Sequence, residues 1–383
     1  MRYCADFPPI DRQKIFSALE LAGILEIYDR HYRFKYSYFY YYFVAQYLAR
    51  HIEEPESRKC IVGLCDQFEK EEHANIWLFL THQSRSQFLL ETIASYAKRF
   101  FSEIPTPSFD KDVVFLQSLY DKVPELVLVN KSIEEIRQER RKRLDSETAS
   151  EPDISDATDE SNETIRVITQ LKASIRTLEV MGQIVKNFAG SMKADPRYTL
   201  VKECYELGLR VTGMILKGWE SSGEEFIKHV LSVVLEKESH IENREELESM
   251  MKNFIFYFCE SVSVGILKRI SQAVGTKDLA DTYRRVLEEN QTNAYQLIDL
   301  SIKLDHLGLP TGDVFRLNEE FKGNIFCRRL LCRLVINHFY LFSSSDQTKQ
   351  KVCSKLGIKI DHLRQLDFKT STQKRLPDAS RPT

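Results

Sequence analysis

Glycine and proline are scarce in this chain, 14 and 11 among 383 residues, and long stretches contain neither. A many-turned β architecture needs those residues at its corners, so their scarcity points to helices. Charge of one sign is not in excess either: 54 Lys and Arg stand against 56 Asp and Glu, a net charge of -2. No overall field draws the chain onto nucleic acid or an anionic membrane, and any such contact has to be local. The most apolar stretches, 254–264 and 330–342, contain Glu260, Arg333 and His338 and fall short of the roughly 20 residues that span a bilayer. They read as core helices, with no membrane partner. The N-terminus, Met1-Arg2-Tyr3-Cys4-Ala5-Asp6-Phe7-Pro8-Pro9, has no apolar signal-peptide core, and the expected location is cytoplasmic.

Motifs that carry chemistry are missing as well. No G-x-x-x-x-G-K-[ST] phosphate loop is present, and without its backbone cradle and lysine a nucleoside triphosphate has no grip of that kind. Nor do the nine histidines and eight cysteines form an H-E-x-x-H or paired C-x-x-C motif, and no G-x-S-x-G or EF-hand loop occurs. Cys60/Cys65 and Cys327/Cys332 are spaced i, i+5, which turns the thiols about 140° apart on a helix. Free thiols in a reducing compartment are expected. Ser95/Lys98 and Ser249/Lys252 share a spacing but lack companion motifs, while Glu71, Glu72 and His73 are adjacent and cannot converge on one substrate. The expectation is a protein without enzyme activity, cofactor or metal.

The fold that remains is predominantly all-α, an irregular helical bundle or array with a small N-terminal hairpin. Asp11 can cap a helix carrying Ile15, Phe16, Leu19 and Ala22, and Gly23 suits its stop. Leu25-Glu26-Ile27 and Tyr32-Arg33-Phe34-Lys35-Tyr36 alternate around Asp29-Arg30-His31, the pattern of a hairpin. An aromatic helix over about 37–52 follows, and its periodicity predicts a buried stripe of Phe39, Tyr40, Phe43, Val44, Tyr47, Leu48 and Ile52. Helix, hairpin and helix together make a partial winged-helix end over 1–52. Helical patterns continue through 53–144, over 60–72, 74–80, 84–101, 110–119 and 132–144. Residues 145–163 hold eight acidic residues and no basic one, the composition of a flexible linker and domain boundary. A helical bundle is expected over 164–345, with packing faces through Ile165, Ile168, Leu171 and Ile175 and through Leu247, Met250, Phe254 and Phe258. From 346 to 383 a basic tail, partly disordered, carries nine Lys or Arg against four Asp.

Gly23-Ile24-Leu25, Tyr32-Arg33-Phe34 and Tyr41-Tyr42-Phe43-Val44-Ala45-Gln46-Tyr47-Leu48 resemble the ending of the winged-helix region in bacterial STAND-type (NACHT-like) signalling NTPases. The later stretches Met181-Gly182-Gln183-Ile184-Val185-Lys186-Asn187-Phe188-Ala189-Gly190-Ser191 and Leu297-Ile298-Asp299 resemble the helical C-terminal part of some of them. That resemblance implies an effector, a P-loop ATPase with its winged helix, and a C-terminal sensor, often in antiphage defence. The effector and ATPase are missing from this sequence, so no nucleotide-binding residue carries over. A truncated or split gene, or an alternative start, is expected. The function that follows is a non-catalytic sensor or scaffold fragment acting through protein contacts, its partner an ATPase half or an effector encoded nearby. The alternative is a winged-helix-like nucleic-acid-binding regulator that uses Arg30 and Arg33 on the hairpin with Arg137, Arg140, Arg141, Lys142 and Arg143. No aromatic residue interleaves that basic run, and it can instead pair with the acidic segment beyond it.

Overall fold

The computed structural model describes residues 11–84, 86–119, 126–129, 138, 163–237 and 244–361. The basic run Arg137 to Arg143, apart from Gln138, and nearly all of the acidic segment 145–163 lie outside them. As the composition requires, the described residues are overwhelmingly helical, with only two small sheets.

The N-terminal part begins with α1 (Arg12–Leu21), capped by the Asp11 carboxylate, which accepts from the Lys14 N–H at 3.3 Å. Gly23, at φ 69°, turns the chain into an antiparallel hairpin of β1 (Leu25–Tyr28) and β2 (His31–Phe34). Four helices follow: α2 (Ser37–Arg50), α3 (Pro55–Cys65), α4 (Glu71–Gln83) and α5 (Gln87–Ala97). The pattern over 60–72 is therefore not one helix. It breaks between Cys65 and Glu71, where Phe68 leaves the helical path to become fully buried against Trp77 and Tyr96. The 110–119 pattern forms a 3₁₀ turn and a short α6 (Val114–Ser118), and β3 (Val127–Val129) follows.

Three long helices, α7 (Glu163–Phe188), α8 (Ala194–Lys237) and α9 (Arg244–Val274), pack pairwise into the central bundle. Glycine permits the closest approaches: a Cβ at Gly182 of α7 would sit 2.4 Å from the Ala273 carbonyl oxygen of α9, and one at Gly208 of α8 would meet Ile270 at 2.6 Å. Against this bundle lie α10 (Ala280–Glu289), α11 (Asn293–His306) and, after α12 (Thr311–Glu320), α13 (Ile325–Leu341), on which α12 packs in turn. The chain then forms α14 (Asp346–Leu356), stopped at Gly357 in the left-handed region, and β4 (Lys359–Asp361), which pairs in parallel with β3. Neither the short parallel sheet nor the packing of α14 was anticipated from sequence.

Helices on the two sides of the acidic segment share one apolar core, because α4 and α5 pack on α7, and α5 packs on α8. Arg210 of α8 secures this contact. Its guanidinium donates to the Ala97 and Phe100 carbonyls at 2.9 and 3.0 Å, where α5 ends, and to Glu203 at 2.7 Å. A cation thus satisfies carbonyls that a helix C-terminus leaves without an internal partner. Burial pushes the Glu203 carboxyl up, with Arg210 opposing the shift.

The charges inside the apolar stretches prove to be each other's partners. Glu260 of α9 is fully buried and accepts from Arg329 Nε and Nη2, both at 3.1 Å, and from Arg333 Nε at 3.3 Å. Among the described residues α9 is the one helix long and apolar enough to cross a membrane, yet here it is a bundle helix packed on α7, α8, α11 and α13. His338 donates its Nδ1–H to the Leu304 carbonyl, 2.7 Å away, and burial holds its pKa below the usual histidine value.

Candidate interaction surface

The hairpin turns through two residues, Asp29 and Arg30, both at positive φ (47° and 62°), the geometry whose twist matches the flanking strands. Its register sets Leu25 opposite Phe34 and Ile27 opposite Tyr32 on one face, with Glu26 opposite Arg33 on the other. Of these apolar residues only Leu25 is buried, while Ile27, Tyr28 and Tyr32 are about half exposed. Phe16 of α1 stacks on Tyr32 with ring centres 4.6 Å apart, and Phe34 stacks on Phe43 of α2 at 5.8 Å. A two-stranded ribbon has little stability of its own, so these ring contacts and Leu25 hold it in place.

Helix α2 does not bury the stripe its sequence pattern suggests. Its covered side is Ala45, Leu48 and, just past its end, Ile52, with Tyr41, Val44 and Ala49 half-buried beside them. Tyr38, Tyr40, Tyr42, Phe43 and Tyr47 are exposed. The helix is apolar nearly all round, so periodicity carries no contrast that says which side is covered. The side that packs does so against α4, where Tyr42 meets Phe79 edge-on at 6.1 Å and Gln83 donates to the Tyr42 carbonyl at 3.3 Å.

The open side forms one wall of a groove of about 480 Å³ between α2 and the start of α3. Phe34, Tyr40, Phe43, Val44, Tyr47 and Leu48 make it apolar, and Ser57 and Cys60 contribute from α3. Both charged residues that line it, Glu54 and Glu56, are carboxylates. They sit at the N-terminus of α3, where the helix dipole favours negative charge. A third carboxylate, Glu72, lies beside Tyr40; burial first, then the charge and hydrogen bond of Glu72, raise the Tyr40 pKa. The nearby cation Arg58 is engaged elsewhere, donating to the Ile52 carbonyl at 2.9 Å, pairing with Glu53 and covering the Phe88 ring at 5.0 Å.

Of the residues proposed from sequence, Arg33 is held by Glu26 across the hairpin at 2.6 Å and lies over the Tyr28 ring at 4.0 Å. Arg30 occupies the turn and is exposed. Arg137, Arg140, Arg141, Lys142 and Arg143 lie outside the described residues. Asp299 sits on helix α11, paired with Lys303 at 2.9 Å. No set of three or more His, Cys, Asp or Glu side chains suited to a metal ion occurs among the described residues. The acidic rim of the groove escaped sequence reasoning, although Glu53-Glu54-Pro55-Glu56 directly after an aromatic helix is its visible trace.

A family model described as Novel STAND NTPase 4 matches residues 2–44. This N-terminal segment is similar to that STAND NTPase family. The match takes in α1, the hairpin and the first half of α2, the elements that carry the exposed aromatics, and leaves the helical bundle uncovered. No curated protein and no solved structure gives a significant match to the chain.

Proposed function

We propose that the chain is a non-catalytic sensor or scaffold component of a STAND-type signalling system, working through protein contacts made by its hairpin and α2. The observation that carries this reading is the placement of the exposed aromatics. Tyr28, Tyr32, Tyr40 and Phe43 lie within the segment similar to the STAND NTPase family and stay accessible although a large core is available next to them. Apolar surface gathered on one small module, with aromatic residues prominent, is the composition of a protein-binding patch. The absence of a phosphate loop in this sequence supports a non-catalytic role. The partner in this reading is a STAND-type ATPase or an effector, the location is the cytoplasm, and the setting is a signalling response such as antiphage defence.

The test is a tagged full-length chain expressed in its native host and compared with a Tyr28→Ser, Tyr32→Ser variant of unchanged circular dichroism. Specific recovery of a P-loop ATPase or effector that the variant loses is the expected result, together with no ATP turnover by the purified chain. Robust hydrolysis, or a partner set indifferent to the two substitutions, refutes the reading. Titration with duplex DNA and single-stranded RNA at low salt settles the nucleic-acid alternative: salt-dependent binding lost in Arg30→Gln, Arg33→Gln would favour it.

A further inference from the structure

The groove between α2 and α3 has features that specify an occupant. Its apolar floor follows α2 from Tyr40 to Leu48, a run of about 12 Å at 1.5 Å per residue. An open strip two turns long matches a docked helix that presents large apolar anchors at i, i+3 or i+4, and i+7. A cup that closes round a small molecule has a different shape. The rim adds the second condition, because the charged residues lining the groove are Glu54 and Glu56, Glu72 lies next to Tyr40, and Arg58 is turned onto Glu53 and Phe88. Lysine or arginine flanking the anchors can lay its aliphatic stem along Tyr47 and Phe43 while its charge meets the carboxylates. An acidic or uncharged helix would leave the rim unpaired, and the same carboxylates repel an anionic lipid surface.

We infer that the α2–α3 groove binds an amphipathic, basic helix of a partner protein, with Phe43, Val44 and Tyr47 as its floor and Glu54 and Glu56 as its selectivity rim. This rests on the protein-contact reading above and gives that contact a place and a chemistry. Helix-in-groove recognition places the affinity in the anchors and the choice of partner in the flanks.

Cys60 supplies a local reporter. It lines the groove and is exposed, whereas Cys65, Cys204, Cys259, Cys327, Cys332 and Cys353 are buried. The probe is a fluorescein-labelled helical peptide of 16 residues with Leu and Phe anchors and Lys flanks, set against the same peptide with Glu flanks and titrated into the full chain by anisotropy. At low salt the Lys peptide is expected to bind about tenfold tighter, the effect of two rim ion pairs of ordinary surface strength. That preference should fall toward unity in 1 M salt and in Glu54→Gln, Glu56→Gln. Val44→Glu should abolish binding, and the Lys peptide should slow alkylation of Cys60 as read by mass spectrometry. Equal affinity for the two peptides, no binding of either, or binding that leaves Cys60 reactivity unchanged overturns the assignment. Anionic vesicles are expected to leave Cys60 reactivity unchanged, and vesicle protection of Cys60 would make the groove a lipid site instead. A failure here with partner recovery still lost in Tyr28→Ser, Tyr32→Ser removes the groove and leaves the protein-contact function standing.

Discussion

Glu260→Gln changes two atoms' chemistry and almost no volume, which makes it a sharp probe of how α9 is held. The carboxylate has no solvent exposure and receives three charged N–H donors, two from Arg329 and one from Arg333. Arg329 is itself only 5% exposed, placed against Phe256 and Tyr257. Removing the negative charge therefore breaks the buried Glu260–Arg329 ion pair, at a cost of about 3–5 kcal/mol for such a pair. Arg333 contributes little to this cost, because its side chain is 41% exposed and can rehydrate. Replacing both buried partners by apolar residues, Glu260→Leu with Arg329→Met, removes the two desolvation costs together and should bring stability back to within about 1–2 kcal/mol of the parent, on either side. Urea unfolding followed by far-ultraviolet circular dichroism reads both differences from shifts of the midpoint at constant slope. The reasoning fails if the single substitution costs less than about 1 kcal/mol, or if the double variant is as unstable as the single one.

Gly182→Ala should destabilise by about 1–3 kcal/mol, since the new methyl would stand 2.4 Å from a backbone oxygen of α9. Gly265→Ala meets nothing within 4 Å and should gain up to about 1 kcal/mol, and the opposite signs are checked by the same urea titration. His338 titrates below the usual histidine value in the fold, so the unfolded chain binds more protons as pH falls. Its contribution is present above about pH 6.5 and is lost on acidification, with a limiting slope of about 1.4 kcal/mol per pH unit. His338→Asn should remove that part of the slope between pH 7.5 and 5, while Glu203 and Asp299, raised by burial, act in the opposite sense in both proteins. Arg30→Gly relieves a non-glycine residue at φ 62° and should stabilise the hairpin by a few tenths to about 1 kcal/mol, seen as slower amide exchange in β1 and β2.

Local chemistry made the hairpin legible in the sequence. Alternating residues on each side of a turn gave both strands, but the connection expected over Asp29-Arg30-His31 is only Asp29 and Arg30, with His31 paired to Tyr28 and β2 ending at Phe34, and it is this two-residue turn that sets the register. The helical period of α7 and α9 was legible for the same reason, but their covered sides were legible only in part: Ile168 on α7 and Met250, Phe254 and Phe258 on α9, expected on packing faces, are exposed, and α9 buries Phe256, Cys259, Leu267 and Ile270 instead. Helix α2 was legible as a helix and illegible as a surface. With aromatics on nearly every side, the choice between Ala45–Leu48 and Tyr40–Phe43–Tyr47 is made by α4, a neighbour the local pattern does not contain. Glu260, Arg333 and His338 carried a partial signal. Each announced that its helix was not uniformly apolar, but the pairing depends on how α9, α11 and α13 cross. The groove was hidden longest, because its acidic rim and apolar floor belong to different helices and neither is unusual alone.

The small parallel sheet has a consequence for how the molecule is made. β3 finds its partner in β4 about 230 residues later, with Val127 beside Lys359 and Val129 beside Asp361. At about 5–20 residues per second, a ribosome delivers that partner some 10–50 seconds after β3 has emerged. Throughout that interval the early helices are available to assemble while one strand edge stays unpaired, exposed to chaperones and to neighbouring nascent chains. Completion of this sheet therefore waits on chain far downstream of the early helices, and the edge of β3 is sealed late rather than by local collapse.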